Sequence, residues 1–103
     1  MIIPTPNWSV LEDYNDEETG EEGYIFVNVI DTHYVIIEYC PVFDYPYGVS
    51  FTQVKGNATM IGIESGAYTA HVSTREEAFG EAAKMMEFID AKLSQLNYAD
   101  YLG

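Results

Sequence analysis

The chain has 103 residues and a mass of 11.6 kDa, room for one compact domain with one core. Seventeen Asp and Glu against four Lys and Arg leave a formal charge of −13, which excludes direct nucleic-acid binding, because phosphate contacts need a basic surface. Hydrophobic residues make up 48% of the chain and aromatic residues 15%, which separates it from disordered acidic tails, poor in aromatics.

The charge is concentrated at the start. Residues 1–23 carry Glu12, Asp13, Asp16, Glu17, Glu18, Glu21 and Glu22 and no base. Pro4 and Pro6 fix φ and disfavour helix before them, so this segment reads as an extended acidic arm. Trp8, Val10 and Leu11 would pin it to the core, and residues 13–23 read as an exposed loop outside the sheet. Met1-Ile2-Ile3-Pro4 has no basic region followed by an apolar stretch, so no secretory signal is expected. No apolar run approaches the roughly 18–20 residues of a membrane span.

Residues 24–72 read as sheet. Two runs rich in Val, Ile and Tyr, 24–30 and 33–40, are separated by Asp31-Thr32, a tight hairpin signal. Both are apolar on both faces, as central strands are. Residues 41–48, with Pro46 between Tyr45 and Tyr47, read as a loop or irregular edge, since proline cannot donate to a ladder. Residues 49–54 alternate, Lys55-Gly56-Asn57 turns, residues 59–64 alternate again, and Ser65-Gly66 leads into a strand over 67–72. Ser73 with Glu76 and Thr74 with Glu77 then offer two overlapping capping boxes. Ala78, Ala82, Met85, Ile89, Leu93 and Leu96 follow at three- and four-residue steps, an amphipathic helix over 73–97. The expected fold is α+β: one domain, an antiparallel meander of four or five strands with a C-terminal helix packed across it.

Catalytic motifs are absent, so neither an enzyme nor a cofactor is expected. Cys40 is the only cysteine, which excludes an internal disulfide and fits a reducing cytoplasm. No cationic or helix-N-terminal setting is there to activate it, so it reads as a buried, inert thiol at a strand end. Asp31, His33 and His71 lack the paired spacings of a zinc site, and His33 reads as a turn residue. Asp16-x-Glu18-x-Gly20 begins like a calcium loop, but Glu21 stands where the sharp turn needs glycine, and the closing position falls on Val27. No metal is expected.

The acidic surface is the strongest feature, since designed small domains carry a net charge of about 2–8 in magnitude. Tyr39, Phe43, Asp44, Tyr45 and Tyr47 crowd one segment, and Tyr14 lies inside the acidic arm. Tyrosine with carboxylate suits docking to a basic protein groove: rings supply buried area, acids supply steering and pairing with Arg or Lys. The expected contact residues are Glu12, Asp13, Asp16, Glu17, Glu18, Glu21 and Glu22, then Asp44, Tyr45 and Tyr47, then Glu77, Glu81 and Glu87 on the helix.

In size, charge and its mixture of acids with tyrosine, the chain resembles small acidic inhibitors that occupy nucleic-acid-binding sites. These are phage anti-CRISPR and anti-restriction proteins that mimic DNA, and immunity proteins that block toxic nucleases. The resemblance is compositional, without a shared motif, and transfers no site residue. It implies a cytoplasmic protein, in the host cell if phage-encoded, whose partner is a basic nucleic-acid-binding protein such as a CRISPR effector, restriction enzyme or nuclease. The alternative is a small interaction or assembly module whose aromatic loop binds and whose acidity serves solubility.

Overall fold

Runs rich in Val, Ile and aromatic residues build the central strands, and a single three- and four-residue apolar stripe builds the helix. The computed structural model describes residues 7–56 and 69–96. The strands are β1 (Trp8–Asn15), β2 (Glu22–Asn28), β3 (His33–Tyr39), β4 (Tyr47–Gln53) and β5 (Ala70–Val72), followed by α1 (Arg75–Leu93). They form one antiparallel sheet in chain order, with α1 packed against it, the expected α+β meander.

The acidic arm differs from expectation. Trp8–Asn15 is not an arm outside the sheet but its first strand, paired with β2 from Trp8↔Asn28 to Asn15↔Glu22. A register shift between Val10 and Glu12 breaks the period-2 pattern there, and carboxylates are tolerated because an edge strand keeps much of its surface in water. The exposed loop shrinks to residues 16–21. Strands β2 and β4 also start two residues earlier than expected, at Glu22 and Tyr47, so Tyr47 and Gly48 belong to the ladder rather than to the loop. Of the expected strand over 67–72, Ala70–Val72 is β5, and the expected strand over 59–64 lies outside the described residues.

One face of the sheet lies under α1. Cross-strand partners share a face, so Val10, Phe26, Val35 and Phe51 form one row and Tyr24, Ile37 and Val49 the next. Across them lie Ala78, Ala82, Met86, Ile89 and Leu93, all buried. The two alanines keep the helix backbone close to the sheet, and each fully buried large residue, such as Phe26 or Ile37, contributes about 1.5–3 kcal/mol. Of the two possible capping boxes the second forms. Glu77 N donates to Thr74 Oγ1 (3.2 Å), and Thr74 Oγ1 donates to Glu77 Oε1 (3.0 Å). Among the described residues no helix is long and apolar enough to cross a membrane.

Candidate functional site

Antiparallel pairing gathers one terminus of every strand into a single rung: Asn15, Glu22, Tyr39, Tyr47 and Val72 follow one another across the sheet. The β1–β2 loop, the β3–β4 loop and the N-terminus of α1 therefore share one end of the molecule. Gly20, at φ +75°, would bring a Cβ to within 3.4 Å of Pro41 Cγ, so the acidic turn sits against the aromatic loop. Residues that chain order separates by some 25 positions become one surface.

The acidic turn is built, not loose. Asp16 N donates to Glu21 O (2.7 Å) and Gly20 N to Asp16 O (2.8 Å), closing it at both strands. Asp16 Oδ1 accepts from the backbone N–H of Glu18 (3.0 Å) and Thr19 (3.4 Å), so this carboxylate is occupied in shaping the turn. Glu17, Glu18 and Glu21 remain exposed around it. Glu22 opens β2 in the same rung as Tyr47, with Tyr39 between them, and burial and then the Glu22 charge hold the Tyr47 phenol above its usual pKa.

The strand register divides the remaining acids between faces. Glu12 and Asp13 are consecutive on β1 and project to opposite sides. Asp13 pairs with Tyr24 on the helix side. Glu12 shares the other side with Tyr14, whose phenol pKa is raised by burial and then by Glu38, Glu21 and Glu12. The Tyr14 ring lies over Gly23, its cross-strand partner, where any Cβ would overlap it. Glu38 therefore belongs to the acidic surface although sequence reasoning left it out. Its polar place in an otherwise apolar alternating run was the available signal.

The β3–β4 loop is closed at its base, where Cys40 N donates to Pro46 O (2.9 Å). Beyond that clasp Val42, Phe43 and Tyr45 are 80%, 64% and 61% exposed, with Asp44 exposed among them. Tyr47 is half-buried and tilted against Tyr39, centroids 4.7 Å apart, so it supports the loop rather than tipping it. His71, opposite Gly48 on β5, joins Phe43, Asp44 and Tyr45 around an open cavity of about 390 Å³. Neither Phe43 nor His71 stood among the expected contacts; His71 reaches the loop only through the β4–β5 pairing.

Positive charge at this end is used internally. Arg75 lies over the rings of Tyr24 (5.2 Å) and Phe79 (5.5 Å) and donates from Nη2 to the Tyr24 hydroxyl. The helix acids are not brought together. Glu77 lies in the first turn, bound to Thr74, while Glu87 lies ten residues on, about 15 Å along the axis. Glu81 forms an ion pair with Lys84 (3.3 Å).

His33 is not a turn residue: it begins β3 fully buried, its Nδ1 hydrogen-bonded with Thr32 Oγ1 (2.8 Å). It lies at the opposite end of the sheet from His71. Among the described residues no three His, Cys, Asp or Glu side chains converge as metal ligands. The chain matches no protein-family model, and neither a curated protein nor a solved structure aligns with it significantly.

Proposed function

We propose that this protein is an inhibitor that binds the basic nucleic-acid-binding groove of another protein, as a DNA mimic does. The observation that carries the reading is the meeting of the acidic β1–β2 turn with the exposed aromatic β3–β4 loop at one end of the sheet. A nucleic-acid groove presents Arg and Lys spaced for a phosphate array of one charge per about 1.7 Å of duplex. Glu17, Glu18, Glu21 and Glu22, flanked by Glu12 and Glu38, can meet those cations from one ordered turn and its adjoining strands. Phe43 and Tyr45 add what DNA lacks, apolar rings that fill pockets, so affinity need not rest on charge alone. Glu81 and Glu87 lie along the helix away from this surface and do not enter the reading.

A simple interaction module would share the aromatic loop but not the dependence on a nucleic-acid groove. Immobilised protein is incubated with nuclease-treated lysate at low salt, and captured proteins are challenged with duplex DNA and RNA. The reading expects a nucleic-acid-binding protein that duplex or RNA displaces. A retained partner that neither polyanion displaces overturns it in favour of the module.

A further inference from the structure

We infer that the cavity between the β3–β4 loop and β5 is a receptacle for an arginine side chain presented by a basic protein. The inference rests on the docking reading above and deepens it, assigning one partner chemistry to one place. Phe43 and Tyr45 line it with two aromatic rings, Asp44 lines it with a carboxylate between them in sequence, and His71 joins the lining from β5. Rings attract a cation through their negative π-faces, and a planar guanidinium also stacks on them while donating paired hydrogen bonds to a carboxylate. The volume of about 390 Å³ lies in the range of small-ligand pockets, ample for one side chain. Both rings are more than half exposed, which is costly in water unless something covers them.

Charge supports the same occupant. The cavity opens at the end where Glu17, Glu18, Glu21 and Glu22 stand, and Arg75, the basic residue beginning α1 there, is held over Tyr24 and Phe79. Of the other bases, Lys84 and Lys92 lie further along α1 and Lys55 follows β4 at the opposite end of the sheet. An anionic or neutral apolar side chain would meet Asp44 and the turn with repulsion or uncompensated burial; a guanidinium meets both with attraction.

The test uses the full chain and two peptides, acetyl-Gly-Arg-Gly-amide and its neutral isostere with citrulline in place of arginine. Amide chemical shifts are followed by NMR. The arginine peptide is expected to move the signals of Phe43, Asp44, Tyr45 and His71, and the citrulline peptide to leave them in place. The double variant Phe43→Ala/Tyr45→Ala is expected to weaken the arginine peptide at least tenfold, and Asp44→Asn about fivefold, with unchanged melting temperatures because these side chains face solvent. Equal shifts with citrulline, shifts confined to residues 16–22, or undiminished binding by the double variant would overturn the assignment. The peptides need no partner, so their failure removes the receptacle while leaving the duplex competition to judge the inhibitor reading. Conversely, a partner that duplex cannot displace removes that reading while peptide binding at the cavity stands.

Discussion

At one end of the sheet, around Trp8, Asn28 and His33, polar groups turn inward and satisfy one another; at the other, around Asn15, Glu22, Tyr39 and Tyr47, they turn outward. At the inward end Asn28 Oδ1 accepts from Thr32 N (2.8 Å) and His33 N (2.9 Å), and Asn28 Nδ2 donates to Thr32 Oγ1 (2.7 Å). Trp8 Nε1 donates to Asp90 Oδ1 (3.0 Å), tying β1 to the C-terminal half of α1. A cavity of about 310 Å³ lies there too, but Asn28 and Asp90 on its wall are committed to these internal bonds. At the outward end the turn backbone is equally well bonded, yet Glu17, Glu18, Glu21 and the rings of Phe43 and Tyr45 face water. Where polar side chains satisfy each other they hold the fold; where backbone bonds and the Asp16 and Thr19 side chains close the turn, its glutamates are left for a partner.

Breaking the inward end should have the largest effect. Asn28→Ala leaves two backbone N–H groups, of Thr32 and His33, without their acceptor inside the protein, and about 2–4 kcal/mol of stability should be lost. Denaturant unfolding reads this directly, and a loss under 1 kcal/mol would mean that water replaces the amide.

Acid should act at the same end. Burial lowers the His33 pKa to about 4 from 6.5, and among the described residues Nε2 has no hydrogen-bond partner to stabilise a charged ring. The unfolded chain therefore takes up a proton that the folded chain refuses. Stability is unaffected above pH 6.5 and falls as pH drops toward 4, by about 2 kcal/mol between pH 7 and 5. His33→Gln should flatten that part of the profile, and an unchanged slope would point to other groups.

The outward end should respond in binding rather than folding. Glutamine at Glu17, Glu18, Glu21 and Glu22 together should weaken a basic partner at least tenfold, about 1.4 kcal/mol, and leave stability unchanged or slightly raised. Asp16 is kept because it shapes the turn. Unchanged affinity at low salt would make the turn a solvated cap and shift the binding to the aromatic loop. The smallest effect is general: melting should rise by a few degrees from 0.1 to 1 M sodium chloride, as the Debye length falls from about 10 to 3 Å. A melting point that falls would show that unpaired surface charge does not limit stability.

Local chemistry was enough to read the helix and the central strands. Thr74 with Glu77 marks the helix start, and runs rich in Val, Ile and Tyr mark β2 and β3. Both signals depend on neighbours within four residues. Strand β1 was hidden because a bulge between Val10 and Glu12 interrupts its period and because its pairing partner supplies half of what makes it a strand.

The sequence by itself determined the class of surface: net charge, acidic start and clustered tyrosines are sums over residues and need no coordinates. Only the tertiary structure decided which of those residues stand together. Antiparallel register set the β1–β2 turn beside the β3–β4 loop, sent Glu12 and Asp13 to opposite faces, added Glu38 to the acidic side, and delivered His71 to Phe43 and Tyr45. It also buried His33 completely at the start of β3, which its place in the run 33–40 does not by itself reveal. Pairing between distant strands is a collective outcome of core burial, because a one-residue slip would turn every apolar side chain to the wrong face.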